Sequence, residues 1–232
     1  MEELLKKYRK LVAAVFEAHR VRGMQKGHNF DHTYSVANLA WDFCEDDSLK
    51  KAAFIAGLFH NADRMIAFDE NLPNSREVPD DKVDALVRGW LTVEDLTEYI
   101  CQVIIKAVLN HGKPNDDSDD TVTVALKDAD RAVNARIDVV IRSAQFRSNL
   151  PVIDPVLLLE DFRGKYNDRL TVVADLLDCL DWGKDDPRFG VRTQKAKKMI
   201  ASRVAALLNF FEMIVEQRKE EGLVPYPEEF AV

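Results

Sequence analysis

The stretch AFIAGLFHNADRMIAF, residues 53–68, decides which fold the chain can adopt. Its first seven residues are apolar or glycine, a pattern typical of a helix that is buried on all sides. Four polar residues then follow in quick succession: His60, Asn61, Asp63 and Arg64. Polar groups at the end of a buried helix must find partners inside the protein, because an unpaired buried polar group is costly. The stretch therefore indicates a helical fold with a polar cluster at its centre.

The composition predicts a helical protein with a substantial core. The 232 residues are 47% hydrophobic and 31% charged, with only 9 Gly and 8 Pro. The abundant Ala, Leu, Lys and Glu favour helices, and the length suits one large domain. The net charge of -8 repels polyanions, so we expect no nucleic-acid polymer as a partner. A small anionic ligand stays compatible, because its pocket needs only a few local cations.

We expect neither a secretion signal nor a membrane anchor in this chain. The first ten residues, MEELLKKYRK, mix both charge signs and lack the apolar centre of a signal peptide. No apolar run approaches the roughly 18 residues that span a bilayer. We therefore expect a cytoplasmic protein without a membrane partner.

Apolar residues recur at helical spacing over nearly the whole chain, and no strand pattern interrupts them. Helices are predicted over about residues 2–20, 31–46, 48–65, 80–89 and 92–111. A long helix is predicted to start at about residue 121, a further helix to end at about residue 180, and a last helix to cover about residues 193–221. The segment HGKPNDDSDD, residues 111–120, is interpreted as a solvated acidic turn, because it lacks the spacing of an EF-hand. The predicted fold class is all-α: a single-domain helical bundle over residues 1–222, followed by an extended C-terminal tail over residues 223–232.

Three of the five histidines fall at predicted helix ends, and one aspartate lies within an apolar helix. His32 lies in the first turn of the second helix, and His60 ends the apolar part of the third. His111 precedes the acidic segment, and Asp130 is flanked by apolar residues in LKDADRAV. Singly, each could be a satisfied buried group or an ion-pair partner. Together they offer the imidazole and carboxylate groups, from separate helices, that a divalent ion needs.

The order of these motifs resembles the HD-domain superfamily of metal-dependent phosphohydrolases. DHTYSV, LFHNADR, VLNHG and LKDADRAV follow one another along the chain. The family has a His, a later His-Asp doublet and a distant Asp in the same order, and the likeness covers about residues 26–135. The resemblance implies a bundle of the HD-domain type, a divalent metal ion, and hydrolysis of a phosphoester by water activated on that ion.

By position, the resemblance implies four metal ligands: His32, His60, Asn61 and Asp130. The family has Asp where Asn61 stands in this chain. An amide is neutral and coordinates more weakly, so the ion would be held loosely or be absent. The metal identity stays open among Mn, Fe, Co, Ni, Zn and Mg.

Three further residues are candidates for catalysis. The resemblance matches His111 and His28 to extra histidines of the family's pocket, and either could be the general acid. Asp63 lies three residues after His60 and could replace the missing carboxylate on that face of the helix. The alternative for Asp63 is a capping or surface role.

Three cations near the motifs are candidates for substrate binding: Arg64, Lys26 and Arg131. An arginine would hold phosphate oxygens in a bidentate manner, and the alternative for each cation is an ordinary surface charge. We therefore predict a metal-dependent phosphohydrolase that acts on a small phosphoester or nucleotide. The alternative, favoured by Asn61, is a catalytically degenerate HD domain that serves as a ligand-binding or regulatory module.

Overall fold

The computed structural model describes residues 6–24, 28–150, 152 and 171–223, and every regular element in these ranges is helical. The helices are α1 (Arg9–Val21), α2 (Phe30–Phe43), α3 (Lys50–Phe59), α4 (Ala62–Asp69), α5 (Asp80–Leu91), α6 (Glu98–Asn110), α7 (Thr121–Asn134), α8 (Val139–Phe146), α9 (Val172–Asp181) and α10 (Gln194–Glu220). A short 3-10 helix covers Ser75–Glu77. The predicted all-α fold class is confirmed. Within these ranges, no helix combines the length and apolarity that crossing a membrane requires.

The helix predicted over about residues 48–65 is divided in two. Helix α3 ends at Phe59, and α4 begins at Ala62. His60 and Asn61 form the junction, and both residues are 1% exposed. The break could not be read from the sequence, because both helices bury an apolar face and the pattern continues across it. The junction points the polar cluster into the core.

The chain divides into two compact units. The first comprises residues 1–133 and 192–196, and the second comprises residues 134–191 and 197–232. The extent of the predicted single domain, residues 1–222, stays a prediction. Residues 224–232 of the predicted tail lie outside the described residues.

The core of the first unit includes the crossing of α2 and α3. Its fully buried side chains include Val36, Ala37 and Ala40 of α2, and Phe54, Ile55 and Leu58 of α3. Gly57 makes this crossing close, because a Cβ at residue 57 would stand 2.4 Å from Ala37 Cα. The close approach matters for the site, because His32 lies on α2 and His60 directly follows α3.

Residues 192–196 belong to the first unit although they are distant from it in sequence. Asp128 on α7 is fully buried and accepts hydrogen bonds from the backbone N–H groups of Arg192 and Thr193, at 2.7–3.0 Å. Burial raises the pKa of the Asp128 carboxyl, although these hydrogen bonds act in the opposite direction. Asp128 thus fixes the segment that leads into α10.

The segment of residues 111–120 contains the exposed turn that its composition predicts, with residues 112–114 and 116–118 open to solvent, but Asp119 departs from that prediction. The Asp119 side chain is 4% exposed and accepts from Lys127 Nζ at 2.7 Å and from Arg192 at 2.8 Å. The Lys127 side chain is itself 1% exposed. Asp120 accepts from the backbone in the first turn of α7. A count of acidic residues cannot show that cations from distant segments pair with them inside the fold.

The second unit has an apolar core of its own. Its buried cluster consists of Val139, Val173, Leu176, Cys179, Leu180, Leu207 and Phe211, contributed by α8, α9 and α10. Gly183 packs closely on Val204, where an added Cβ would meet a methyl group at 2.9 Å.

Candidate metal centre

Three predicted ligands converge from three segments of the first unit. His32 Nε2 lies 3.1 Å from His60 Nε2 and 3.3 Å from Asp130 Oδ1. The remaining distance, from His60 Nε2 to Asp130 Oδ1, is 4.0 Å. Both histidines are buried, and the Asp130 side chain is 22% exposed. These three residues, named here the triad, form a candidate metal-binding group.

The triad has the size that a divalent ion requires. A triangle with these three sides has a circumradius of about 2 Å, which matches Zn–N and Zn–O bonds of about 2.0–2.2 Å. Two imidazole nitrogens and one carboxylate oxygen suit zinc and the other late first-row divalent ions. The donor set and its dimensions therefore fit a metal ion.

Backbone carbonyls prepare two of the pocket histidines for coordination or proton transfer. His60 Nδ1 donates to Gly57 O at 2.7 Å, and His111 Nδ1 donates to Val108 O at 2.6 Å. Because a carbonyl only accepts, Nδ1 carries the proton, and Nε2 of the neutral ring keeps its lone pair. Burial holds the pKa of His60 well below its ordinary value, although Asp130 acts in the opposite direction. His60 is therefore neutral, as a metal ligand must be.

Asp130 supplies the negative charge of the triad. Burial by itself would raise the pKa of this carboxyl. The hydrogen bond with His32 and the nearby imidazoles of His60 and His111 outweigh burial and hold the pKa well below its usual range. An ionised oxygen beside two imidazole nitrogens attracts a cation.

Asn61, the predicted fourth ligand, is tied to α2 by its amide nitrogen. Asn61 Nδ2 donates to Thr33 Oγ1 at 2.9 Å, and Thr33 Oγ1 lies 3.0 Å from His19 Nε2. This leaves the carbonyl oxygen of Asn61 as the atom that could coordinate an ion. The ligand role of Asn61 stays a prediction.

The sequence interpretation missed His19 and Thr33. His19 continues the buried face of α1, four residues after Val15, and this spacing is the signal that could have found it. Thr33 directly follows His32 but carries no charge and belongs to no motif. Only the packing of α1 on α2 brings the two side chains together.

Two further predicted site residues, His28 and His111, flank the triad. The ring centroid of His28 lies 5.3 Å from that of His32, and the centroid of His111 lies 5.5 Å from that of His60. Burial, and then the charge of Arg64, hold the pKa of His28 well below its ordinary value. The assignment of either histidine as the general acid stays a prediction.

Asp63 and Arg64 lie in the first turn of α4, and both are half-buried. Asp63 is outside the group of donor atoms that lie within 4.8 Å of one another, so the structure does not bring it to the triad. Its Oδ1 is buried and has no hydrogen-bond partner among the described residues. Arg64 acts electrostatically on His28 and forms no ion pair within the described part of the chain.

The other two predicted substrate-binding cations are Lys26 and Arg131. Lys26 lies outside the described residues. Arg131 is 7% exposed, and its Nη1 donates to Asn115 Oδ1 at 2.7 Å. Arg131 is thus engaged with the segment before α7, and its role toward a substrate stays a prediction.

Comparison with known proteins identifies the fold. No family model matches the chain, and no curated protein matches it. The crystal structure of Bacillus subtilis YpgQ in complex with ADP is similar, with 17% identity and a TM-score of 0.60, over 93% of this chain and 95% of that chain. A crystal structure from Lactobacillus plantarum is also similar, with 16% identity and a TM-score of 0.61, over 93% of this chain and 98% of that chain. At these identities the likeness shows the fold alone.

Proposed function

We propose that the chain is a metal-dependent phosphohydrolase of the HD-domain type that acts on a small phosphoester or nucleotide. The observation that carries the proposal is the triad, whose donor atoms lie 3.1–4.0 Å apart. The ADP bound to YpgQ, a protein of similar fold, supports a phosphorylated nucleotide as the ligand class.

Different residues of the pocket would have different roles in such a reaction. A bound divalent ion supplies Lewis acidity toward a phosphoryl oxygen and lowers the pKa of water. The triad would hold the ion. The Arg64 guanidinium, without an ion pair in the described part of the chain, is available to bind phosphate oxygens in a bidentate manner. His28 and His111 flank the triad and are the candidate proton donors to the leaving oxygen.

The second candidate is a ligand-binding or regulatory domain without turnover. Asn61 favours it, because a neutral amide beside His60 leaves the pocket with one carboxylate near the ion position. A weaker hold on the metal reduces the capacity of the site to polarise a phosphoester. Both candidate functions use the pocket, but only the phosphohydrolase releases phosphate.

Metal titration tests the triad first. Protein freed of metal with EDTA would be titrated calorimetrically with Mn²⁺, Co²⁺, Ni²⁺, Zn²⁺ and Mg²⁺. We expect Asp130→Asn to weaken binding by at least the roughly 10- to 100-fold that loss of an outer-shell partner costs. The matched control is Asp117→Asn, an exposed position with the same change of charge, which should leave the affinity unaltered. Equal affinity in Asp130→Asn and wild type would place the metal elsewhere.

A phosphate-release screen with nucleotides and small phosphoesters then separates the two candidates. Metal-dependent release that disappears in Asp130→Asn supports the hydrolase. Metal-dependent binding of ADP without release supports the ligand-binding domain. Arg64→Gln should weaken phosphate binding while metal affinity is retained, and exposed Arg76→Gln is its control.

A further inference from the structure

A chain of three buried hydrogen bonds connects α1 to the junction that carries Asn61. His19 Nδ1 lies 2.8 Å from Val15 O, and His19 Nε2 lies 3.0 Å from Thr33 Oγ1. Thr33 Oγ1 in turn accepts from Asn61 Nδ2 at 2.9 Å. The exposed fractions of His19, Thr33 and Asn61 are 3%, 0% and 1%, so bulk water does not replace these partners. These three residues are named here the relay.

The direction of each hydrogen bond in the relay follows from the chemistry of its ends. The Val15 carbonyl only accepts, so His19 Nδ1 carries a proton and donates it. The other nitrogen of the neutral ring, Nε2, then accepts the single proton of the Thr33 hydroxyl. With that proton committed, the Thr33 oxygen can only accept from residue 61. The relay therefore requires a donor at residue 61.

We infer that His19 and Thr33 are positioning residues that specify an amide at residue 61 and turn its carbonyl oxygen toward the metal centre. The requirement for a donor follows from the relay alone. The orientation of the oxygen toward an ion rests on the proposed function.

A carboxylate at residue 61 would disrupt the relay. It donates no proton, so the Thr33 hydroxyl would have to reverse and leave His19 Nε2 without a donor. The remaining solutions are a proton on His19, whose pKa burial lowers, or a proton on the carboxyl group itself, which would then donate to Thr33 Oγ1 in place of the amide. The amide of Asn61 thus supplies the donor that His19 of α1 requires at residue 61 through Thr33.

The relay also joins the two segments that supply the imidazoles of the triad. Thr33 directly follows His32, and Asn61 directly follows His60. A hydrogen bond between Thr33 and Asn61 therefore holds the two ligand-bearing backbone segments together. Side chains that fix ligand-bearing segments tune metal affinity without touching the ion.

A double-mutant cycle in EDTA tests the donor requirement without any metal. We expect Asn61→Asp to lower the Tm by about 3–8 °C, because it leaves a buried acceptor unsatisfied. His19→Phe keeps an aromatic ring beside Phe30, whose centroid lies 6.0 Å away. In the His19→Phe background the Thr33 hydroxyl is free to donate to Asp, so Asn61→Asp should cost less than half as much. Equal costs in both backgrounds would overturn the relay.

Substitutions of Thr33 test the positioning role through a conservative rescue. Thr33→Val removes the hydroxyl at nearly constant shape, and Thr33→Ser retains it. We expect Thr33→Val to weaken Co²⁺ binding about tenfold and Thr33→Ser to restore wild-type affinity. In ¹⁵N NMR spectra, neutral His19 should show the Nδ1–H tautomer in wild type and Thr33→Ser.

The outcomes separate the relay from the proposed function. Wild-type Co²⁺ affinity in Thr33→Val would overturn the positioning role, provided that Asp130→Asn loses the ion. If Asp130→Asn also binds as wild type does, the proposed metal site itself fails, and the metal-free cycle still decides the donor requirement. A wild-type His19 in the Nε2–H tautomer would contradict the relay directly.

Discussion

Gly57 packs against Ala37 so closely that a single methyl group at residue 57 would stand 2.4 Å from Ala37 Cα. The carbonyl of the same glycine accepts the Nδ1 proton of His60 at 2.7 Å. The crossing of α2 and α3 and the orientation of a triad imidazole are therefore set at one residue.

Gly57→Ala should destabilise the fold and weaken metal binding. The added methyl group must push α2 and α3 apart, so we expect a loss of about 1–3 kcal/mol in the free energy of unfolding. Urea unfolding and Co²⁺ titration measure the two effects. Gly89→Ala is the control, because no atom lies within 4 Å of its added Cβ. That variant should gain about 0.5–1 kcal/mol, and wild-type stability in Gly57→Ala would contradict the close crossing.

Asn61→Asp should lower the Tm of the metal-free protein and increase the rise in Tm that metal causes. In EDTA the variant should melt below wild type, because a buried carboxylate without a donor costs about 1–3 kcal/mol. With Mn²⁺ or Co²⁺ the added charge faces a cation, so the metal-induced rise in Tm should exceed that of wild type. Thermal melts at a series of metal concentrations compare the two forms. A lower Tm without recovery by metal would refute a ligand role for residue 61.

The metal-free protein should lose stability as the pH falls below about 6.5, the ordinary pKa of histidine. Burial lowers the pKa values of His19, His28 and His60 in the folded state. The unfolded chain therefore binds more protons below that pH, and stability is lost as the pH falls through the folded values. Urea unfolding from pH 8 to pH 5 measures the slope. His19→Phe should reduce it, and equal slopes would contradict the burial of a neutral His19.

Lys127→Met should destabilise the first unit more than the loss of an exposed ion pair does. Lys127 and Asp119 are both nearly inaccessible to solvent. Removing the lysine leaves a buried carboxylate with Arg192 as its remaining cation, and we expect a loss of about 3 kcal/mol. Lys82→Met removes the exposed pair with Glu70 and should cost under about 1 kcal/mol. Similar losses in the two variants would refute the structural role of the buried pair.

The sequence alone predicted the fold class. It also predicted four ligands, three of which the structure brings together. Helical periodicity and motif order are local properties, and His32, His60 and Asp130 are polar residues in apolar surroundings. The relay was not predictable in this way. His19 and Thr33 meet only because α1 packs on α2. Tertiary packing decides such contacts, and no spacing within one helix encodes them.

The hydrogen bonds that Asp128 accepts from residues 192 and 193 have a consequence for the order of synthesis. These partners are separated by 64 and 65 residues of sequence. At about 5–20 residues per second, a ribosome needs about 3–13 s to make the intervening chain. Most of that chain belongs to the second unit, whose residues 134–191 therefore leave the ribosome before residue 192 does. The first unit begins to form earliest but is completed only after most of the second has been made.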